Sequence, residues 1–170
     1  MDMKYIISEN QLKTIIKTFN MGNKVILEDK YKDYKKGWYK YDSYGDLEVN
    51  DPLNTKIYLF PDEKGFLIEL FLNGTMVGSF HCFVDEEGMA NDVQINEEYQ
   101  NKGLGKVLLL KAIDVSNAYL GYFQTDTRGT TTQQNHVYKS LNNSGALKNW
   151  NELDYDKAQS VIDKISNSFN

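Results

Sequence analysis

The stretch EEYQNKGLGKVLLL, residues 97 to 110, decides the fold. It joins a polar run to a strongly apolar one through Gly103 and Gly105. The residues before it, MANDVQI, alternate as a strand does, and apolar residues from Leu104 to Tyr119 recur at the spacing of one helix face. The sequence therefore predicts a strand, a glycine turn and a helix of about sixteen residues. The predicted polar face of this helix carries Lys106, Lys111, Asp114 and Asn117.

The segments on either side add strands before this unit and helices after it. Asn73-Gly74 lies between two β-rich arms in GFLIELFLNGTMVGSFHCFV, which is typical of a hairpin. SENQLKTIIKTF predicts a first helix, YFQTDT a short strand, and TTQQNHVYKSL and YDKAQSVIDKISNSF two further helices. Antiparallel strands followed by strand–helix–strand–helix predict a mixed α/β or α+β fold.

Length and composition favour one ordinary globular domain. The 170 residues are 41% hydrophobic and 25% charged. The sequence has no long apolar run and no cationic leader before an apolar stretch, so we expect neither a membrane span nor a signal peptide. A single cysteine, Cys82, rules out an internal disulfide, so we expect a cytoplasmic protein. The net charge of −5 argues against nucleic acid as the main partner.

The glycine pair is compatible with anion binding. Val107 and Leu108 stand where two common phosphate motifs require a hydroxyl and a glycine, so neither motif is present. What remains is Gln100-x-x-Gly103-x-Gly105 between a strand and a helix. The first turn of a helix exposes unpaired N–H groups, and glycines let an anion approach them. Alternatively, Gly103 is only a turn residue and the neighbouring lysines are only solvated.

The segment VQINEEYQNKGLGKVLLLKAI resembles the acetyl-CoA-binding segment of the GNAT superfamily of acyltransferases, and the order of elements resembles that family from about residue 5 to 150. The resemblance implies a central mixed, mostly antiparallel sheet with a splayed parallel strand pair, flanked by helices. It implies a single domain over 1–170, with the acceptor-side part at about 1–60 and the acetyl-CoA-binding strand–loop–helix at 89–122.

The resemblance also implies cofactor contacts. Acetyl-CoA would be a co-substrate, with its pantetheine arm paired to the backbone of Val93, Gln94 and Ile95. Its pyrophosphate would lie on the loop formed by Gln100, Asn101, Lys102, Gly103, Leu104, Gly105 and Lys106. On this basis we expect Gly103→Glu to abolish binding by placing a side chain where the pyrophosphate must lie. The family's asparagine seven residues before a helical tyrosine is replaced by Thr131, which leaves Asn135 as the candidate contact.

Catalytic roles follow from the same resemblance. Tyr138 matches the tyrosine that protonates the departing thiolate, although a tyrosine that only packs its ring is an equal alternative. An amine must lose a proton before it attacks, and Asp92 is our candidate base, ahead of His81, Glu97 and Glu98.

Other chemistry is less well supported by the sequence. His81 and Cys82 are adjacent on a strand and point to opposite faces, and His136 is the only other histidine, so we expect no metal site. Cys82 is interpreted as a small core residue. The run KYKDYKKGWYKYDSY, residues 30 to 44, could stack bases on its rings, but an edge strand or loop with packed rings is favoured.

The predicted function is acetyl transfer from acetyl-CoA to a primary amine by direct attack in a ternary complex. The alternative is a GNAT-shaped binding or regulatory module for a protein or nucleic-acid partner, including a tRNA-acetylating toxin. The acceptor, small molecule or protein, stays open. Homodimers are frequent in the family, so a dimer is also expected.

Overall fold

The computed structural model of the protein describes residues 38–60, 64–125 and 131–170. The helix predicted over SENQLKTIIKTF, and most of the acceptor-side part at about 1–60, lie outside these residues. In chain order the strands and helices are β1 Tyr39–Tyr41, β2 Leu53–Phe60, β3 Gly65–Leu72, β4 Thr75–Asp85, β5 Gly88–Ile95, a 3₁₀ turn at Glu97–Tyr99, α1 Leu104–Tyr119, α2 Thr132–Asn143, β6 Leu147–Asn149, β7 Glu152–Leu153 and α3 Tyr155–Asn167.

Strands β1 to β5 form one antiparallel sheet in sequence order. The predicted hairpin joins β3 to β4, and its two turn residues, Asn73 and Gly74, have φ values of 49° and 80°. Positive φ at both positions matches the right-handed twist of the flanking strands, which explains the Asn-Gly pair. The next turn pairs Asp85 with Gly88. The predicted mixed α+β fold with a mostly antiparallel sheet is confirmed.

Helix α1 packs on one face of this sheet. A Cβ placed on Gly78 of β4 would lie 2.6 Å from the Cδ1 of Ile95 and 3.3 Å from the Cδ1 of Leu108, so strand and helix meet closely over this glycine. Since strand side chains alternate between faces, the odd-numbered residues of β5 face α1 and the even-numbered ones face away. Helix α3 buries Ala158 and Ile162 of its predicted apolar stripe.

The polar face predicted for α1 is wrong at two positions. Lys111 and Asp114 are each only 1% exposed. The Nζ of Lys111 lies 3.0 Å from the Oδ2 of Asp114 and also donates to the backbone carbonyl of Leu47. The carboxylate of Asp114 accepts hydrogen bonds from the backbone N–H groups of Asp46 and Leu47, at 2.9 and 3.0 Å. These partners come from the connection between β1 and β2, which covers this side of the helix.

The parallel strand pair expected beside β5 is not formed in residues 122–125. Those residues belong to no strand, and β5 is an outer strand of the sheet in the part of the chain that the structure describes. The Nδ2 of Asn91 donates to the carbonyl of Gln124 (3.1 Å), and the N–H of Gln124 approaches the Sδ of Met89 (3.4 Å). Two contacts through side chains of β5 therefore join these residues to the strand, and no ladder forms between them.

The carboxyl-terminal part contains a hairpin that the sequence did not predict. Strands β6 and β7 form a separate two-stranded sheet between α2 and α3, with Trp150 in the turn. The helices over TTQQNHVYKSL and YDKAQSVIDKISNSF are confirmed as α2 and α3. Among the described residues, no helix has the length and hydropathy needed to cross a bilayer.

Candidate active site

The loop between β5 and α1 is built by two residues in left-handed backbone conformations. Asn101 has φ 62°, and Gly103, the N-cap residue just before α1, has φ 87° and ψ −5°. The Nε2 of Gln100 donates to the carbonyl of Ile95 at 3.0 Å, which ties the loop to the last residue of β5. The strand end, the 3₁₀ turn and the helix start therefore form one compact bend.

The N–H groups at this bend are available to a ligand. The N–H groups of Lys106 and Val107 both donate to the carbonyl of Gly103, at 2.9 and 3.4 Å. Those of residues 101 to 105 donate to no group among the described residues, and no side chain caps α1. The first turn of α1 carries no acidic residue. Unpaired amides at the positive end of a helix dipole form a seat for an anion.

The two glycines have different structural roles. A Cβ on Gly103 would lie 3.2 Å from both the Cδ1 and the Cγ1 of Ile165 in α3, so this position faces the protein interior. A Cβ on Gly105 would meet only the Cγ2 of Val137, at 3.8 Å, which is ordinary contact. The structure adds a second reason to expect an effect of Gly103→Glu, because any side chain at φ 87° strains the turn and its Cβ would press on Ile165.

Two lysines flank the bend. Lys102 is exposed, and its Nζ lies 5.2 Å from the centre of the Tyr99 ring. Lys106 is partly exposed in the first turn of α1. Lys102 is one of the residues with an unpaired amide, and Lys106 directly follows them. The charges of both side chains would add to the attraction for a phosphate.

The outer edge of β5 offers backbone groups to an extended ligand. The N–H of Asn96 donates to the carbonyl of Val77 in β4 (3.0 Å), so this residue points into the sheet. Because backbone groups alternate in direction along a strand, those of Ile95 and Val93 point to the open edge and those of Gln94 point to β4. Of the three residues predicted to pair with pantetheine, Val93 therefore directs both its N–H and its carbonyl to this edge. Ile95 offers only its N–H, because its carbonyl already accepts the hydrogen bond from Gln100.

Asp92 lies on the sheet face opposite α1. Its side chain is exposed and accepts a hydrogen bond from the Nε2 of Gln94 at 3.0 Å. His81 stands directly opposite it on β4, with its ring 5.7 Å from that of Phe60. Asp92 is thus open to solvent. Glu97 and Glu98 are exposed on the 3₁₀ turn.

Tyr138 is held by α2, whose start is fixed by a capping box between Thr131 and Gln134. It is 4% exposed, and burial raises the pKa of its phenol well above the ordinary value near 10. Its ring lies 5.1 Å from that of Trp150. No hydrogen bond or ring contact among the described residues joins Tyr138 to Asp92, so the structure does not bring the two predicted catalytic residues together directly.

A pocket of about 290 Å³ lies between α2 and the β6–β7 hairpin. It is lined by Asn135, Tyr138, Lys139, Asn142, Leu147 and Trp150. Asn135, the predicted cofactor contact, is therefore on the pocket face of α2. Trp150 was missed by sequence reasoning, although its position between Asn149 and Asn151, after an apolar segment, is a turn signal that could have indicated it.

Two other sequence expectations, on Cys82 and on the aromatic run, can be compared with the described residues. Cys82 is a free, fully buried thiol whose pKa is raised to about 12 by burial, as its core interpretation predicts. Within residues 38–44, Trp38, Tyr41 and Tyr44 are buried. Those three rings are packed and unavailable to stack on bases, whereas the ring of Tyr39 is 46% exposed. No cluster of candidate metal ligands occurs among the residues that the structure describes.

The family model described as "Acetyltransferase (GNAT) family" matches residues 26–142, which is more than half of the chain. No curated protein sequence and no solved structure matched the chain.

Proposed function

Because the chain belongs to the GNAT acetyltransferase family, we propose that it transfers the acetyl group of acetyl-CoA to a primary amine by direct attack. The observation that carries the proposal is the row of unpaired N–H groups at residues 101 to 105, at the start of a helix with no cap. A diphosphate has the charge and the acceptor oxygens that such a row requires. Lys102 and Lys106 would neutralise the remaining charge.

The open edge of β5 would hold the pantetheine arm. Its two amide groups can pair with the outward N–H and carbonyl of Val93 and with the outward N–H of Ile95, as an added strand would, while the carbonyl of Ile95 stays bonded to Gln100. The gap between β5 and residues 122–125, which only side chains bridge, supports this assignment. Asn135 of α2 is the further proposed contact. When bound, acetyl-CoA supplies the thioester whose C–S bond breaks as the new C–N bond forms.

Two side chains would move protons. Asp92 would take a proton from the acceptor's ammonium group, directly or through water, so that the nitrogen lone pair can attack. Tyr138 would give its phenolic proton to the departing thiolate and regain one from solvent. Burial raises the pKa of Tyr138, so its phenol is protonated at neutral pH and is a weaker acid than an exposed tyrosine. Its position beside Trp150 leaves the alternative that Tyr138 acts only through packing.

A covalent acetyl-enzyme on cysteine is not part of the proposal. Cys82 is fully buried, and its raised pKa keeps the thiol protonated, so it lacks both access and nucleophilic character. A reducing cytoplasm, where acetyl-CoA is available, is the compartment that we propose.

The test uses two substitutions at one position. Gly105→Pro removes one of the unpaired N–H groups without breaking a helical hydrogen bond, because the first turn of a helix has none to lose at this position. Gly105→Ala keeps the N–H, and its Cβ fits beside Val137. We expect Gly105→Ala to keep the thermal shift with CoA and the release of thiol from acetyl-CoA with an amine panel. In Gly105→Pro we expect the affinity for CoA and the rate of thiol release to fall at least about tenfold.

Three results would count against the proposal. One is equal CoA affinity in the proline and alanine variants, provided that both unfold cooperatively at similar temperatures. A second is a protein that is stabilised by ATP as strongly as by CoA. The third is the absence of thiol release with every amine tested.

A further inference from the structure

Gln124 meets the open edge of β5 through two side chains of that strand. Its backbone carbonyl accepts a hydrogen bond from the Nδ2 of Asn91 (3.1 Å), and its backbone N–H lies 3.4 Å from the Sδ of Met89. In a parallel ladder, backbone groups of the neighbouring strand would take these bonds. The side chains of Asn91 and Met89 therefore take the two hydrogen bonds that a backbone ladder would otherwise make.

The contact at Asn91 is closed to solvent. The Oδ1 of Asn91 is buried and has no hydrogen-bond partner among the described residues. Met89, which also contacts Gln124, and Phe123, the neighbour of Gln124 in the chain, are each 1% exposed. Because solvent does not reach the Oδ1, the carboxamide of Asn91 fills the space between β5 and Gln124.

The proposed coenzyme would run along β5 toward this contact. Its diphosphate would lie at residues 101 to 105, after the strand, and its pantetheine arm would meet first Ile95 and then Val93. Outward backbone groups occur at every second residue of a strand, so the next outward position on this path is Asn91. From Ile95 to Asn91 the strand rises about 13 Å. The acyl group at the end of the arm would therefore face the carboxamide of Asn91.

The neighbouring residues of β5 are less suited to limit the size of that group. The side chains of Asp92 and Gln94 lie on the sheet face opposite α1, where the Nε2 of Gln94 donates to the Oδ2 of Asp92 at 3.0 Å. Met89 lies one outward position beyond Asn91, and its unbranched side chain adapts readily to a neighbour. Asn91 is thus the first side chain that the acyl end would meet.

We propose that Asn91 sets the acyl length that the protein accepts, so that acetyl-CoA fits and butyryl-CoA does not. This inference rests on the proposed function and specifies its acyl donor. The bond to Gln124 fixes the carboxamide, so a longer chain could displace it only by breaking that bond. The alkyl chain would also offer no hydrogen bond to the unpaired Oδ1 of Asn91.

The test compares the binding of CoA, acetyl-CoA and butyryl-CoA by isothermal titration without an amine, so it needs no turnover. Butyryl is two methylenes longer than acetyl, and each methylene that a pocket does not fit costs about tenfold or more. We therefore expect the parent to bind acetyl-CoA at least about tenfold more tightly than butyryl-CoA. In Asn91→Ala, which removes the carboxamide, the two affinities should lie within about threefold of each other.

Two control variants separate volume from hydrogen bonding. Asn91→Leu keeps a side chain that is branched at Cγ but cannot form a hydrogen bond, and it should retain a preference for acetyl-CoA of at least about tenfold. Asn117→Ala removes a carboxamide in α1 whose Nδ2 likewise donates to a backbone carbonyl, that of Asn151 at 3.2 Å. Its preference should equal that of the parent.

The outcomes distinguish this inference from the proposed function. If CoA binds but the parent does not discriminate between the two thioesters, or Asn91→Ala discriminates as the parent does, the inference is overturned and the proposed function stands. A loss of preference in Asn91→Leu or Asn117→Ala as large as that in Asn91→Ala also overturns it. If CoA itself does not bind, the proposed function fails, and the inference fails with it.

Discussion

The side-chain amide of Gln100 donates a 3.0 Å hydrogen bond to the backbone carbonyl of Ile95, five residues earlier in the chain. This bond joins the two halves of the proposed coenzyme site, the open edge of β5 and the loop of unpaired amides. It also uses the carbonyl that would otherwise point to the free edge at the end of the strand. The orientation of the loop relative to β5 therefore depends in part on one exposed side chain.

Substitutions of Gln100 should change CoA affinity according to whether the new side chain can donate a hydrogen bond to Ile95. Gln100→Glu loses the donor and places a negative charge beside the loop, so we expect CoA binding to weaken at least about fivefold, equivalent to about 1 kcal/mol. Gln100→Arg keeps a donor and should bind within about twofold of the parent. Isothermal titration measures both, and equal affinities for glutamate and arginine would contradict the assignment.

Gly103 and Gly105 should differ in what alanine does to stability. Gly103→Ala must hold a Cβ at φ 87° and 3.2 Å from Ile165, so we expect a loss of about 1–3 kcal/mol in the free energy of unfolding. Gly105→Ala lies within the helix and meets only Val137 at 3.8 Å, so it should be neutral or stabilising by up to about 1 kcal/mol. Urea unfolding compares them, and similar losses in both variants would refute the distinction.

Local patterns predicted the elements that are determined locally. Asn73-Gly74 specifies its turn through positive φ values, and the apolar spacing after Gly103 specifies a helix with the observed length of 16 residues. Burial of Lys111 and Asp114 could not be predicted, because their partners at residues 46 and 47 lie more than 60 positions away in the chain. The same limit hid the pocket, since Trp150 joins Tyr138 only through the β6–β7 hairpin.

For the same reason the site was only partly predictable. The anion loop follows from a strand, glycines and a helix start, which are all contiguous. The role of each glycine depends on a residue far away in the chain. Gly103 meets Ile165 of α3, and Gly105 meets Val137 of α2. A strand was expected at YFQTDT, but residues 122–125 meet β5 only in contacts with the side chains of Asn91 and Met89, which are about 30 residues away in the chain.

The buried ion pair should be sensitive to loss of one partner. Asp114→Asn removes the charge that compensates the buried ammonium of Lys111, so we expect unfolding free energy to drop by about 3–5 kcal/mol. The exposed pair of Lys148 and Glu152, at 3.6 Å, provides the matched control. Glu152→Gln should cost less than about 1 kcal/mol. Urea unfolding at neutral pH measures both, and a comparable loss in the two variants would show that burial of the first pair is unimportant.

Alkaline stability should depend on Tyr155. Burial and the negative charges of Asp114 and Asp46 raise the pKa of its phenol from near 10 to about 12. Between these values the unfolded chain binds fewer protons than the folded chain, so the stabilisation that is complete below pH 10 is lost as the pH rises through about 12. Tyr155→Phe should therefore lose stability less steeply than the parent over this range. Unfolding curves at several alkaline pH values would contradict this if the two slopes were equal.

The central claim, that the backbone amides of residues 101 to 105 bind the diphosphate of CoA, can be measured directly by titrating ¹⁵N-labelled protein with CoA and with pantetheine, which lacks the diphosphate. The amide signals of these residues, with Gly103 and Gly105 resolved in the glycine region, should shift saturably with CoA and much less with pantetheine. Saturable CoA binding that leaves these five amide signals unmoved would contradict the account.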